Sequence, residues 1–335
     1  MKRAQFDFLL SPQIGVLSLI LIMNWLLFPG FFNLSWQDGR LFGSMIDVLN
    51  RGAPVAILAI GMSAVIATRG VDLSVGAVMA VAGAVAATEA LQGYPFIIIL
   101  ASTLIVGILC GAWNGVLVAY LGVQPFVATL VFMVAGRGLA QLITKGSIVT
   151  FSNSSLEFVG TGSLLGLPMA FCITLGLAVL AHLVFRKTSI GLFVEAIGIN
   201  QSASNYAGLK SKRVILAVYM FSGFCASIAG LIATADIRGA DANNAGLWLE
   251  LDAILAVVIG GTSLLGGRFS IFMSVIGAMI IQAMNTGILI SGFKPEINLV
   301  VKAGVILLIL ILQSTELRAL IRRKLNSYKN ITVAK

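Results

Sequence analysis

Ten apolar runs, most of them about 20 residues long, constrain what this chain can fold into more than any other feature of its sequence. A run of that length can cross the hydrocarbon core of a bilayer as a helix. Within lipid, each backbone N–H and C=O group must be satisfied inside its own segment, so helices are the expected spans. The sequence therefore predicts an all-α membrane protein with about ten transmembrane helices, over residues 13–32, 52–68, 74–91, 95–121, 125–144, 166–186, 214–235, 252–266, 269–291 and 297–314.

The charge content supports a membrane location. Charged residues make up 10% of the chain and hydrophobic residues 59%, whereas a soluble domain carries about 25% charged residues. The net charge of +9 does not indicate a nucleic-acid partner, because the basic residues cluster between the apolar runs and form no surface interleaved with aromatic residues.

Lys and Arg between the runs indicate which side of the membrane the termini occupy. Cytoplasmic loops of membrane proteins carry an excess of these residues. With both termini inside, 15 of the 22 Lys and Arg residues lie in inner segments and 5 lie in outer segments. The sequence therefore predicts cytoplasmic termini and a multi-pass protein of a bacterial inner membrane.

The eighth run, 252–266, is shorter than the others and contains Gly260 and Gly261. A short glycine-rich run is typical of a broken or re-entrant helix, in which irregular backbone lies inside the protein rather than against lipid. All ten runs together predict a single transmembrane domain over residues 1–335.

Two of the predicted loops have compositions that indicate contact with a partner. The inner loop, about 187–213, is long enough for one or two short helices that present a surface, although a disordered loop is the alternative. The outer loop, about 236–251, is polar and could dock a soluble partner or order a polar solute at the mouth, although a solvated loop is the alternative; its candidate residues are Asp236, Arg238, Asp241, Asn243 and Asn244.

Polar residues inside the predicted spans are costly in hydrocarbon and are expected to face the bundle interior or a water-filled path. Asn114, Arg137, Gln141 and Asn285 are such residues, and they either line a pathway or join helices by hydrogen bonds. Arg137 requires a carboxylate or carbonyl partner. Asp72, at the start of the third span, either caps that helix or lines an inner gate.

Motifs for covalent chemistry or nucleotide hydrolysis are absent. The chain contains no phosphate-binding loop, no zinc-protease motif, no nucleophile elbow and no paired-cysteine motif. We therefore predict that the chain is not an enzyme and holds no cofactor or metal. Any driving force for transport must come from another subunit or from an ion gradient.

Two stretches resemble the signatures of a known family. Residues 66–76, IATRGVDLSVG, resemble the TxGIDLSVG signature of ribose-type permeases of ATP-binding-cassette sugar importers, except that the family usually has Ser or Gly where Arg69 stands. Residues 251–267, LDAILAVVIGGTSLLGG, resemble the second signature of that family. Within the family, 37–44 and 235–248 are most similar to permeases of galactofuranose importers.

The resemblance implies a permease subunit that forms half of a sugar channel. It implies a second permease chain, which is a different chain in galactofuranose systems, a cytoplasmic ATP-binding subunit that uses ATP and Mg, and a periplasmic sugar-binding protein. It also implies that the 187–213 loop couples the channel to the ATPase, through Glu195, Ala196, Gly198, Asn200, Ala207 and Gly208. The alternatives are a permease for ribose, xylose or another monosaccharide, and an ion-coupled secondary transporter.

Overall fold

The computed structural model describes residues 12–37 and 39–292, together with 300, 303, 304 and 307. This part of the chain is mostly helical, as the apolar runs predict. The helices are α1 Pro12–Leu27, α2 Ser44–Ala67, α3 Val75–Leu91, α4 Phe96–Ala119, α5 Pro125–Ile143, α6 Ser154–Thr161, α7 Met169–Lys187, α8 Ser189–Ile199, α9 Gln201–Tyr206, α10 Ser211–Asp236, α11 Leu249–Ile259 and α12 Ile271–Ile290.

Six short strands form three antiparallel pairs outside the long helices. Their bounds are β1 Ser35–Gln37, β2 Arg40–Phe42, β3 Val149–Thr150, β4 Ser163–Leu164, β5 Leu167–Pro168 and β6 Gly239–Ala240. The pairs are β1 with β2, β3 with β6, and β4 with β5. The β3–β6 pair attaches the segment after α10 to the segment after α5.

Six described helices are long and apolar enough to cross a membrane: α2, α4, α5, α7, α10 and α12. Each coincides with one of the predicted spans. The first and third predicted spans appear as the shorter apolar helices α1 and α3, and most of the tenth, 297–314, lies outside the described residues. The all-α membrane prediction is therefore confirmed in its coarse form, with six candidate spanning helices in the described part.

The eighth predicted span is the 11-residue helix α11. A helix of that length rises only about 16 Å, roughly half of the ~30 Å hydrocarbon core. It ends at Gly260, and Gly261 has a φ of 88°, a value that glycine adopts without steric cost. Irregular backbone then continues to α12. The described geometry is that of a broken helix.

Helix α10 is the central element of the bundle and packs against α2, α3 and α4. Burial separates central from peripheral helices: α2 and α10 are mostly buried, whereas only about a quarter of α4 and α5 is buried. The exposed side chains of α4 and α5 are large and apolar, including Ile105, Leu109 and Trp113. Such a surface suits lipid rather than water.

Glycine on α4 allows close contact with α10. A Cβ atom added at Gly107 or Gly111 would collide with α10 backbone, namely the carbonyl oxygens of Gly223 and Tyr219. On another face of α10, Gly230 packs against the backbone of Met79 in α3. Lipid chains are as apolar as the side chains, so close packing rather than the hydrophobic effect stabilises such helix pairs.

The described loops gather at two ends of the bundle. One end contains the α2–α3 turn, the α4–α5 turn, α8 and α9, and we call it the α8 end. The other contains α6, the three strand pairs and the segment between α10 and α11, and we call it the α6 end. Helix α1 joins this bundle through Asn24, whose Nδ2 donates to the carbonyl of Ala283 at 2.9 Å.

The chain divides into two units, Met1–Thr286 and Gly287–Lys335. Helices α1 to α11 and most of α12 lie in the first unit. In the second, Ser291 Oγ donates to the carbonyl of Ile288 at 2.6 Å near the end of α12. The prediction of a single domain over 1–335 stays a prediction.

The α4–α10 contact yields a stability prediction. Gly111→Val should lower the melting temperature of the purified chain in detergent, because the added side chain must displace α10 backbone; overpacking of this kind costs about 1–3 kcal/mol. Gly138→Val is the matched control, since a Cβ atom at Gly138 meets no neighbour within 4 Å. Equal melting temperatures for the two variants would contradict this close packing.

Candidate functional site

A cavity of about 400 Å³ opens at the α6 end of the bundle. It lies among α2, α10, α11, α12 and the segment after α10. Its lining combines apolar side chains with nine polar ones, namely an arginine, three carboxylates, a hydroxyl and four amides. The polar lining residues are Asn50, Arg51, Thr234, Asp236, Asp241, Asn244, Asp252, Gln282 and Asn285.

Three of these side chains form a polar cluster near the α6 end of α2 and α10. Asp236 accepts a hydrogen bond from the Asn50 side chain and lies beside the Arg51 guanidinium. On α12, Gln282 donates to the Thr286 hydroxyl at 3.4 Å. Carboxylate, guanidinium and amide groups exchange hydrogen bonds readily with hydroxyl groups. The cavity can therefore accept a small polyhydroxylated solute.

The segment between α10 and α11 borders this cavity and is attached to α5. Arg137 Nη1 donates to the backbone carbonyls of Ala242, at 3.1 Å, and Ala245. Gln141 Nε2 donates to Asn243 Oδ1 at 2.7 Å. The predicted need of Arg137 for a carbonyl or carboxylate partner is thus met by carbonyls.

Asp241 organises the same segment from within. Its Oδ2 accepts from Asn244 Nδ2 at 2.7 Å, and its Oδ1 accepts from the backbone N–H groups of Asn243, at 3.0 Å, and Asn244, at 3.3 Å. The hydrogen bond from the Asn244 side chain is the main reason that the pKa of Asp241 lies below its ordinary value. The carboxylate is therefore ionised, and the turn held, throughout the neutral range.

A second polar cluster lies in the bundle interior beside the α2–α3 turn. Asp72 is 1% exposed. Its Oδ1 accepts from the Ser74 backbone N–H at 3.0 Å and from the Ser74 hydroxyl, and its Oδ2 accepts from Ser222 Oγ at 2.7 Å. Asn114 Nδ2 donates to Ser74 Oγ at 2.7 Å. Asp72 thus joins the start of α3 to α10, and Asn114 adds α4.

Tyr219, which lies near Asp72, lines a second cavity, of about 550 Å³, at the α8 end. Its polar lining comprises Thr68, Arg69, Gln124, Gln201, Lys212 and Tyr219. The Tyr219 hydroxyl and Asn114 Oδ1 are both buried and have no hydrogen-bond partner among the described residues. Buried polar atoms of this kind are costly, so the cluster retains unused hydrogen-bonding capacity next to a cavity.

Arg69 connects three segments at the α8 end. Its Nη2 donates to the carbonyl of Ile199, at the end of α8, at 2.6 Å. Its Nε donates to the carbonyl of Leu265, in the irregular segment after α11, at 3.0 Å. The backbone adds a parallel contact, since the Gly267 N–H donates to the Ala67 carbonyl at 2.9 Å. Both resemblance stretches, 66–76 and 251–267, therefore meet the end of α8.

The predicted inner loop contains two helices, α8 and α9, as one of its two alternatives predicted. Glu195 forms an ion pair with Arg186 at 3.1 Å. Gly198 packs so closely that a Cβ atom there would collide with the Ala67 carbonyl. Asn200 caps α9, because its Oδ1 accepts from the Ala203 N–H at 2.9 Å.

Exposure in this loop is greatest on α9 and the turn after it, and Leu192 and Ile199 of α8 are also exposed. Tyr206 is 93% exposed. Ala196 is half-buried, whereas Ala207 and Gly208 are exposed, and Gly208 has a φ of 86°. The surface that a partner could contact therefore comprises α9, residues 207–208 and the exposed face of α8, while Glu195 and Gly198 hold α8 against the bundle.

The residues that the sequence singled out lie at several different places in the structure. Of the predicted pathway residues, only Asn285 lines the cavity at the α6 end; Arg137 and Gln141 hold the bordering segment, and Asp72 and Asn114 form the interior cluster. Of the predicted outer residues, Asp236, Asp241 and Asn244 line that cavity. Asn243 bonds Gln141, and Arg238 forms an ion pair with Glu157 of α6 at 3.2 Å.

Sequence reasoning missed Asn50 and Arg51 at the cavity. The predicted second span begins at residue 52, which leaves both residues in a loop, whereas α2 begins at Ser44. One sequence feature could have found this site: Arg51 and Asp236 carry opposite charges and lie next to the predicted outer ends of two spans. Among the described residues, no group of three or more His, Cys, Asp or Glu side chains could hold a metal ion.

A bundle of long apolar helices with a partly polar cavity near each end fits a membrane permease. Residues 44–310 match the family described as the branched-chain amino acid transport system permease component. The chain therefore belongs to this family, whose members are permease components and not enzymes.

Curated relatives narrow the class to sugar permeases. The galactofuranose transporter permease protein YtfT of Escherichia coli is 59% identical over 311 residues, which cover 93% of this chain and 91% of that protein. The fructose import permease protein FruF of Bifidobacterium longum is 43% identical over 87% of this chain and 83% of its own length. The ribose import permease protein RbsC of Escherichia coli is 37% identical over 88% of this chain and 90% of its own length. No solved structure matches the chain.

The interior cluster yields a second prediction. Asp72→Ala should lower the melting temperature of the purified chain strongly, because it removes the acceptor of two buried hydroxyls; each unsatisfied buried group costs about 1–3 kcal/mol. Asp72→Asn keeps an oxygen acceptor of the same shape and should lose less.

Asp47→Ala is the control for the loss of a carboxylate, since Asp47 is exposed on α2. A melting temperature of Asp72→Ala equal to that of Asp47→Ala would contradict the role assigned to the cluster.

Proposed function

We propose that this chain is one half of the translocation channel of an ATP-driven monosaccharide importer, and that its solute is galactofuranose. The observation that carries the proposal is the polar cavity at the α6 end, which presents hydroxyl-binding groups inside a protein whose relatives are sugar permeases. The relative with galactofuranose in its name is 59% identical, compared with 43% for the fructose permease and 37% for the ribose permease. This difference favours galactofuranose over the other two sugars.

The proposed topology has ten spans with both termini in the cytoplasm of a bacterial inner membrane. The excess of basic residues in the inner segments supports this orientation. The α8 end is then cytoplasmic and the α6 end faces the periplasm. In this topology, all the turns described for one end of the bundle lie on the same side of the membrane. The contacts within the bundle are therefore consistent with the proposed topology.

The proposed solute path enters through the cavity at the α6 end. Asp236, Asn285 and Asp241 contact the sugar there, together with Asn50, Arg51 and Gln282. The polar segment between α10 and α11 lies at the mouth, where a periplasmic sugar-binding protein docks. We assign Asp72 and Asn114 to an interior lock between α3, α4 and α10, because their hydrogen bonds join these helices.

The proposed ATPase-docking surface is α9 with residues 207–208. These residues are exposed at the α8 end and are held by α8, which contacts both resemblance stretches through Arg69 and Gly198. A displacement of α9 by the ATPase is thus transmitted to the α2–α3 turn and to the broken helix by direct contacts. The second permease chain of the complex is a paralogue, and no cofactor is bound by this chain.

The solute path makes a testable prediction. Asn285→Ala should raise the sugar concentration needed for half-maximal uptake about twofold to tenfold, because one lost hydrogen bond to a neutral solute is worth about 0.5–1.5 kcal/mol. Uptake of radiolabelled galactofuranose is measured in proteoliposomes that hold this chain with its co-encoded permease, ATPase and binding protein.

Gln92→Ala is the control, since Gln92 is an exposed amide at the end of α3 and does not line the cavity. Unchanged uptake in Asn285→Ala and in Asp236→Asn would exclude this cavity from the path.

Docking of the ATPase makes another prediction. Tyr206→Ala should reduce both uptake and sugar-stimulated ATP hydrolysis by tenfold or more, since an exposed aromatic side chain at the centre of an interface contributes about 2 kcal/mol or more. Tyr94→Ala is the control at the opposite end of the bundle. Full uptake that continues after ATP depletion and stops on addition of an uncoupler would overturn the ATP-driven mechanism itself.

A further inference from the structure

A groove of about 490 Å³ follows the outside of the bundle between α7 and α10 and stops at α8. Along α10 it extends from Arg213 to Phe224, a helical rise of about 16 Å. That is roughly the hydrocarbon thickness of one leaflet, half of about 30 Å. The groove thus has the depth of one leaflet and begins at the α8 end.

The lining is apolar with a single charged residue. Leu180, Val184 and Ile190 line it and are 58%, 36% and 45% exposed. Its aromatic residues are packed on one another, with the rings of Phe185 and Phe221 in an edge contact at 5.5 Å. Apart from Arg213, no side chain of this lining carries a hydrogen-bonding group, so the groove lies outside the proposed solute path.

Arg213 lies at the α8 end of the groove. Its side chain is exposed and has no hydrogen-bond or ion-pair partner among the residues that the structure describes. Arg186 of α7 does not line the groove and is bound by Glu195 and by the carbonyl of Phe269. Arg213 is therefore the charged side chain that the lining itself offers to a ligand.

We propose that this groove binds one anionic phospholipid, with an acyl chain against α7 and α10 and the headgroup phosphate on Arg213. The charge of Arg213, the apolar lining and the leaflet-sized depth each match one part of such a lipid. Basic residues at the cytoplasmic ends of membrane helices bind anionic headgroups in this way. A sugar would leave the apolar lining without a matching partner, and an apolar peptide would leave Arg213 without one.

The test uses the purified full-length chain in detergent and two lipids with the same acyl chains. Binding of dioleoylphosphatidylglycerol and dioleoylphosphatidylcholine is measured by native mass spectrometry. We expect one phosphatidylglycerol to bind in preference to phosphatidylcholine. Arg213→Gln should weaken phosphatidylglycerol binding about fivefold, the order expected for one basic group near an anionic headgroup.

Two control pairs separate charge from shape. Lys210→Gln removes an exposed charge three residues before Arg213, outside the groove, and should leave binding unchanged. Ala217→Trp fills the groove and should abolish binding of phosphatidylglycerol, whereas Ala101→Trp, on the exposed face of α4, should not. If Ala217→Trp does not fold, the Arg213→Gln and Lys210→Gln pair still decides.

Three results would overturn the proposal. Equal binding of the two lipids would show that the headgroup charge is not recognised. Equal weakening of phosphatidylglycerol binding by Arg213→Gln and by Lys210→Gln would show that the preference is a general effect of surface charge. A dimer that Ala217→Trp dissociates, with phosphatidylglycerol binding intact, makes the groove an interface between copies of the chain.

Discussion

Close contact between α10 and its neighbours determines the rest of the architecture. In lipid, helices gain little by hiding apolar side chains from one another, so a compact bundle depends on backbone approaching backbone. Gly107 and Gly111 allow α4 to reach α10, and Gly230 allows α10 to reach α3. With α10 enclosed, apolar side chains on α4 and α5 can face outward. Polar groups such as Asp72 and Ser222 can then pair in the interior, where their cost is offset by mutual hydrogen bonds.

The two ends of the bundle are connected to this centre in different ways. At the α6 end, Arg137 and Gln141 fasten a polar segment beside a cavity, and Asp241 shapes that segment. At the α8 end, Arg69 and Gly198 bring a short helix against two turns that are far apart in sequence. Helix α10 extends from one end to the other, so a shift of one end has a rigid element along which to reach the other.

Much of the fold could be predicted from the sequence because apolar length and glycine spacing are local signals. The spacing of Gly107 and Gly111 indicates a close helix contact, yet it does not name α10 as the partner. Contacts such as Arg137 with Ala242, 105 residues apart, need the assembled bundle. Asn50 and Arg51 were missed at the candidate site for a local reason, since they lie in the second turn of α2, where polar and charged residues are typical of a loop. Asp72 was expected either to cap α3 or to line an inner gate, and its bond to Ser222 depends on a helix 150 residues away.

The backbone of Arg69 has a further consequence. Its φ of 64° lies in the left-handed region, which costs an ordinary residue about 1–2 kcal/mol and glycine almost nothing. Glycine at this position would adopt the same conformation almost without free-energy cost, but it would bring no long side chain. In this chain the conformational cost is offset by two side-chain hydrogen bonds of Arg69, to the carbonyls of Leu265 and Ile199. A substitution at this one position can therefore change how firmly the α2–α3 turn is held to its neighbours while the path of the main chain stays the same.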